Sequence, residues 1–320
     1  MAKHSIICAG IDTGKRELEV ALEGGTQRLT VDNAAAGHAA LSAWLKRQRV
    51  KRVGIEATGG YEGAVAAHLR GAGFTVVVLQ PMQVRAYALF LLQRAKTDKI
   101  DAALIAACTA AVQTIHAPPD PRLAPLAEHL TVIEQLVEDA ARLKTRRASP
   151  RSDSRIGDFW AAEIARTQAL VRQELAALVA AIRRHPDLAR RLALIASVAG
   201  VGEKTAVAIL LRMPEIGRVT REQAAALAGL APYDQESGEH TGEKHIEGGR
   251  TRLRKALYAA ALPAAFRWNA ALVALYKRIT AKGTGHKAAL IACARKLLAT
   301  VNAVVARGTP WTKERAAAPS

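Results

Sequence analysis

Short apolar runs and alternating segments fill the first eighty residues, and helical periodicity takes over after them. Residues 5–11 (SIICAGI) form an apolar run that ends in Asp12, the pattern of a buried strand with an acid at its tip. Residues 17–23 and 27–32 alternate apolar and polar positions around Gly24-Gly25, which predicts two further strands joined by a turn. A helix is expected over 35–48 and a short strand over 51–60 (KRVGIEATGG) that carries Glu56 before a glycine turn. Then come a helix at 61–72, the strand 74–80 stopped by Pro81, and helical sequence from about 82 to 116. Three strands in a meander, followed by helix, strand, helix, strand and helices, predict a ribonuclease H-like α/β sheet. In that topology Asp12 and Glu56 end neighbouring central strands.

Pro118, Pro119, Pro121 and Pro125 mark a boundary. Residues 126–190 are helical with heptad-like spacing, interrupted by the basic stretch 144–155 (KTRRASPRSDSR), and read as an antiparallel helical pair or coiled coil. Residues 191–320 are helical again, with a glycine hairpin at 198–202 and a polar loop at 232–250. The expected organisation is an α/β domain over 1–122, a helical oligomerisation region over 123–190 and an all-α domain over 191–320.

Charge narrows the class. Lys and Arg number 46 against 28 Asp and Glu, a net +18 with a pI near 10.3. Such an excess favours a polyanionic partner, nucleic acid above all. Aromatic residues make up only 4%, so backbone phosphate contact is expected to outweigh base stacking. Cys8, Cys108 and Cys293 are isolated in apolar surroundings, which speaks against zinc and against a disulfide framework. No signal peptide is read at the N-terminus and no run reaches membrane-spanning length; the best stretch, 290–305, contains Arg295 and Lys296. A soluble, cytoplasmic protein is expected.

Candidate chemistry begins in AKTDKIDAALIAA (95–107), where Asp98 and Asp101 sit three apart beside Lys96 and Lys99. That spacing puts both carboxylates on one helical face. Thr97 as a helix cap, with acids in the first turn, explains the pair without any chemistry. Convergence with Asp12 and Glu56 gives a different account. Four carboxylates in one cleft repel unless cations share it, and hard oxygen donors with open positions suit Mg²⁺ or Mn²⁺ in phosphodiester cleavage. Lys96 and Lys99 then fit as phosphate contacts. At 198–205, Gly200, Gly202 and Lys204 resemble a helix-hairpin-helix whose backbone N–H groups meet a DNA phosphate. In the polar loop, Ser237-Gly238 lies ahead of Arg250, Arg252 and Arg254. By residue type alone Ser237 reads first as a turn residue; a nucleophile on a phosphate held by the arginines is the alternative.

Taken together, GIDTGKRELEV, IEATGGYE, AKTDKIDAALIA, VAGVGEKTA and the stretch ALAGLAPYDQESGEHTGEKHIEGGRTRLRKALYAAAL resemble the DEDD transposases of the bacterial insertion-sequence one-ten family. The likeness runs from about residue 5 to Trp311 with its motifs in order. It implies a RuvC-like N-terminal domain with Asp12, Glu56, Asp98 and Asp101 as its metal-binding acids. It also implies a coiled coil used in assembly and a C-terminal transposase domain whose nucleophile matches Ser237. The family's reaction passes through a covalent 5′-phosphoserine at a composite site built from two domains. It is guided by a structured bridge RNA that pairs with target and donor duplexes, and is carried out by a homotetramer. Association with the nucleoid follows. The alternative is a RuvC-like metal-dependent nuclease that cuts by water attack and is indifferent to Ser237.

Overall fold

The computed structural model describes residues 6–92, 98–115, 120–148, 154–233, 236–237, 240–241 and 245–312, with the side chains of 98–100, 154, 233, 236–237 and 240–241 outside the description. The chain divides into two compact units, 1–118 and 119–320.

The first unit is a five-stranded mixed sheet with helices on both faces. Its strands are β1 (Cys8–Thr13), β2 (Glu17–Leu22), β3 (Arg28–Asp32), β4 (Arg52–Glu56) and β5 (Thr75–Leu79), in the spatial order β3-β2-β1-β4-β5. β1, β2 and β3 pair antiparallel, while β4 lies parallel to both β1 and β5. This is the ribonuclease H-like order that the pattern predicts. The helices are α1 (Ala35–Arg47), α2 (Glu62–Gly71), α3 (Pro81–Phe90) and α4 (Asp98–Ala111).

Strand alternation sorts the two faces. Ala9, Ile11, Val53 and Ile55 bury themselves against Leu41, Leu45, Val65 and Leu69 of α1 and α2. On the other face Val77 and Leu79 pack with Leu104, Ile105 and Cys108 of α4. Helical sequence was expected to be continuous from 82 to 116. Instead α3 ends before Leu92, whose φ of +55° leaves the helical range, and α4 starts anew at Asp98. The acidic pair therefore opens a helix, as the Thr97 cap and first-turn acids suggest, and does not lie inside a continuous one.

The second unit is mostly helical: α5 (Leu123–Arg147), α6 (Ser154–Arg183), α7 (Pro186–Ala196), α8 (Glu203–Arg212), α9 (Arg221–Leu227), α10 (Thr251–Pro263), a π-helical turn (Ala264–Trp268), α11 (Ala270–Thr280) and α12 (His286–Arg307). It is not all-α. Four two-residue strands, β6 (Pro232–Tyr233), β7 (Glu236–Ser237), β8 (His240–Thr241) and β9 (His245–Ile246), fold the polar stretch onto itself. α5 and α6 form an antiparallel hairpin, since His129 reaches Glu174 at 2.8 Å and Arg146 lies 5.7 Å over the Trp160 ring. Leu123, Leu126, Leu130 and Ile133 of α5, with Leu178, Val179 and Ile182 of α6, root the hairpin in the core shared with α7, α8, α10 and α12. Farther out, Ile156, Phe159 and Leu170 are exposed.

α12, at 22 residues, is long and apolar enough to cross a membrane by length and composition, contrary to the sequence expectation. Its apolar side chains have another use, because Leu290, Cys293, Leu297, Leu298, Val301 and Val304 are buried in the core. Cys8 and Cys108 are likewise buried and unbridged, and burial raises all three thiols above the ordinary range.

Candidate active site

Two glycines set the acid end of the sheet. A Cβ on Gly10 would stand 2.2 Å from Ala102 O and Ala106 N, and one on Gly54 would stand 1.7 Å from Thr109 Oγ1. α4 thus lies with its backbone directly on β1 at Gly10 and with its Thr109 side chain pressed onto β4 at Gly54, and glycine on the strands leaves the room for both. Its direction is fixed at the far end. The Arg52 guanidinium, at the start of β4, donates to Thr109 O at 3.4 Å and Val112 O at 3.1 Å, capping the last carbonyls of α4. α4 therefore runs against β1 and β4, and its N-terminus arrives where those strands end.

The acids follow from that geometry. Ile11 and Ile55 are register partners in the parallel pair, so Asp12 and Glu56, one residue on, are neighbours. Both share the face of Gly10 and Gly54, the face that α4 covers. From Gly10, two strand residues advance roughly 6.6 Å to Asp12. From the middle of the Ala102–Ala106 contact, three helical residues advance roughly 4.5 Å in the same direction to Asp101. Asp12, Glu56 and Asp101 are all half-buried, open on one side to solvent. Asp98 opens the same helix one turn earlier; its side chain lies outside the described residues, as do Lys96 and the side chain of Lys99.

Sequence reading missed a further acid and a brace. Glu19 on β2 is the register partner of Asp12 and accepts from the Thr30 hydroxyl at 2.8 Å. The alternation ELEV could have placed it on the acid face. Asn33 Nδ2 donates to Gly14 O at 3.0 Å and Tyr61 O at 3.2 Å, tying the loop after Asp12 to the loop after Glu56. Glu62 Oε2 accepts from the Thr58 and Gly60 N–H groups at 3.0 and 2.9 Å and holds the glycine turn beyond Glu56. Behind Asn33, its Oδ1 meets His38 Nε2 at 2.8 Å, and His38 stands 5.8 Å from the His68 ring. Burial, helped by His68, holds the His38 imidazole below the usual histidine range. No signal in the sequence linked Asn33 to either loop.

Asp12, Glu56 and Asp101 are hard oxygen donors on one edge, the kind of set a divalent cation takes. Among the described residues, no three His, Cys, Asp or Glu side chains stand close enough together to hold a metal as they are.

Ser237 lies in the second unit on a small β-hairpin. β7 pairs with β8 with Ser237 opposite His240, and below it β6 pairs with β9 with Tyr233 opposite His245. The two residues between β7 and β8, Gly238 and Glu239, match a hairpin-turn length, a signal available in the sequence and not used. The arginines after the loop are engaged at its base. Arg254 Nη1 donates to Gly248 O at 2.7 Å and Gly229 O at 3.2 Å, clasping the two ends of the loop. Arg250 pairs with Glu215 at 2.6 Å and also donates to Arg212 O at 3.0 Å. Arg252 and Arg212 share Glu134 of α5, each at 2.7 Å.

The glycine hairpin joins α7 to α8. Gly200 has φ +97° and its missing Cβ makes room for Ala264, while Gly202 caps α8 and Lys204 stands exposed in the first turn.

Known proteins match both units. Residues 9–149 match a family described as DEDD_Tnp_IS110, transposase, and residues 192–277 match the Transposase IS116/IS110/IS902 family. The chain is 28% identical to the pilin gene-inverting protein of Moraxella bovis over 95% of this chain and 97% of that one. It is also 32% identical to the insertion element IS110 uncharacterized 43.6 kDa protein of Streptomyces coelicolor, over 36% of this chain and 29% of that one. A Thermus thermophilus RuvC structure aligns at 24% identity with a TM-score of 0.24, over 35% of this chain and 84% of that one, so the fold assignment rests on the strand order alone. With one family matched in chain order across the acid-bearing sheet and the helical unit, the chain belongs to the IS110 family of transposases.

Proposed function

We propose that this transposase cuts and rejoins DNA through a covalent 5′-phosphoserine at Ser237, assisted by divalent cations on Asp12, Glu56, Asp98 and Asp101. The observation that carries the reading is the landing of the α4 N-terminus at the ends of β1 and β4, which gives Asp101 the same edge as Asp12 and Glu56.

Bound Mg²⁺ or Mn²⁺ would supply charge neutralisation at the attacking and leaving oxygens. The chain supplies the rest. Ser237 Oγ attacks phosphorus and loses its proton to solvent; the bond to the 3′ oxygen breaks, and that oxygen takes up a proton. The phosphodiester energy is kept in the serine ester. A 3′ hydroxyl from the second duplex then attacks the ester and restores Ser237. Gly200, Gly202 and Lys204 meet backbone phosphate as a helix-hairpin-helix. Lys96 and Lys99 do the same beside the acids. Arg250, Arg252 and Arg254 hold the base of the serine loop and keep further N–H donors for phosphate.

A structured guide RNA selects target and donor, and the net +18 suits a protein that holds both nucleic acids. The α5–α6 hairpin, with Ile156, Phe159 and Leu170 exposed, supports assembly into a tetramer as a coiled coil. Three compositional regions, 1–122, 123–190 and 191–320, then divide the labour.

The test combines protein, Mg²⁺, labelled target and donor DNA and RNA transcribed from the element's flanks, followed by denaturing electrophoresis. A protein-linked band abolished by Ser237→Ala and by Asp101→Ala is expected. Free cleaved DNA that survives Ser237→Ala means water attack and a nuclease.

A further inference from the structure

Downstream of the serine loop lies a surface that none of these steps uses. Between Arg254 and Glu314 the chain carries ten Lys and Arg and not one Asp or Glu. Within this stretch Phe266 and Trp268 are 55% and 60% exposed, large rings left in water. Arg267 lies between them in sequence, with its guanidinium 5.5 Å over the Trp268 ring. The Phe266 ring stands 4.9 Å from Tyr276 and 6.3 Å from His286, and the Tyr276 hydroxyl meets His286 Nδ1 at 2.7 Å. Lys277, Arg278, Lys282 and Lys287 stand exposed on α11, the connection after it and the start of α12.

The presentation is built into the backbone. α10 gives way at Pro263 to the π-helical turn, a winding that recurs at functional sites. Ala264 and Ala265 are buried and anchor the turn, while the next three side chains face out. Ala264 fills the space left by Gly200, and Asn269 Nδ2 donates to Ala199 O at 3.0 Å. The turn that shows the rings is therefore fastened to the glycine hairpin.

Aromatic faces interleaved with cations fit bases and phosphates together. A duplex hides its base faces, so the matching ligand is unpaired. We propose that Phe266, Arg267, Trp268 and Tyr276 form a stacking platform for an unpaired stretch of DNA, its phosphates held by the surrounding Lys and Arg. This rests on the DNA substrate of the family and not on the chemistry of Ser237.

Anisotropy with the full chain tests it, using a short labelled DNA single strand, the same strand with its bases removed, the duplex, and RNA of the same sequence. The base-bearing strand should bind about tenfold tighter than the abasic one. Phe266→Ala with Trp268→Ala should erase that preference and leave abasic binding unchanged. DNA should also quench tryptophan emission, and Trp268→Phe should remove that quench while preserving the fold. Equal binding of abasic and base-bearing strands overturns the proposal, as does a quench that survives Trp268→Phe. Tighter ring-dependent binding of RNA or duplex overturns the choice of ligand. Ser237→Ala should bind the strand normally, so a missing phosphoserine band leaves this inference standing.

Discussion

The carboxylates of the first unit sit on strands and a helix that touch backbone to backbone, whereas Ser237 sits on two-residue strands held at their base by arginine side chains. One arrangement has almost no adjustable part. Gly10 and Gly54 leave α4 no second height above the sheet. At the foot of the other, Gly229 and Gly249 also meet backbone to backbone, and Arg254 clasps them from outside; what can be loosened one contact at a time is that clasp and the short strands beyond it. A rigid acid edge in one unit and an adjustable serine loop in the other would suit the strand transfer proposed above.

The sharpest way to break this comparison is Gly10→Val. The new side chain collides with the α4 backbone, and a loss of more than about 3 kcal/mol in urea unfolding is expected, together with all strand transfer. If α4 instead tolerates valine with full activity, the backbone-contact account is wrong. Next comes Glu134→Ala. Glu134 and Arg212 are only 15% and 19% exposed on their side chains, and removal leaves two arginines without their shared carboxylate. Destabilisation of about 3 kcal/mol is expected by thermal melting, confined to the second unit.

Arg254→Ala sharpens the contrast. It should cost about 1–2 kcal/mol and lower the yield of phosphoserine product far more than it lowers the melting temperature. A matched loss in both would make Arg254 a fold residue only. Asn33→Ala should cost about 1 kcal/mol and weaken cleavage with DNA binding unchanged, read by gel shift beside the cleavage assay.

The smallest effect is a pH dependence. The His38 imidazole is depressed in the fold, so the unfolded chain binds its proton first as pH falls below 6.5. The contribution is complete above that pH and is lost as pH drops through the folded value. Wild type should therefore lose more melting temperature between pH 7.5 and pH 5.5 than His38→Gln, measured at matched ionic strength.

How legible this was depended on what kind of contact was involved. The sheet order could be read because β1, β2, β4 and β5 each carry a pattern of their own, and Asp12 and Glu56 could be placed because they end such strands. Gly10 and Gly54 could be seen but not interpreted, since what excludes a Cβ there is a helix about fifty to ninety residues away in sequence. Asn33 was silent for the same reason, as its partners are loop carbonyls with no residue signature. The start of α4 could be read from Thr97 and the acids after it, whereas the end of α3 at Leu91-Leu92 could not, because neither proline nor glycine marks it. The roles of Arg250, Arg252 and Arg254 at the foot of the loop were hidden, because charge alone does not distinguish an arginine aimed at phosphate from one aimed at a carbonyl.

The direction of α4 also has a meaning in electric terms. A helix carries the equivalent of about half a positive charge at its N-terminus. Because Arg52 caps the opposite end and the helix runs against the strands, that pole faces Asp12, Glu56 and Asp101. The peptide backbone thus offsets part of the mutual repulsion of the acids on its own account. The N-terminal pole of α4 thereby steadies the carboxylates that its own landing brings to this edge.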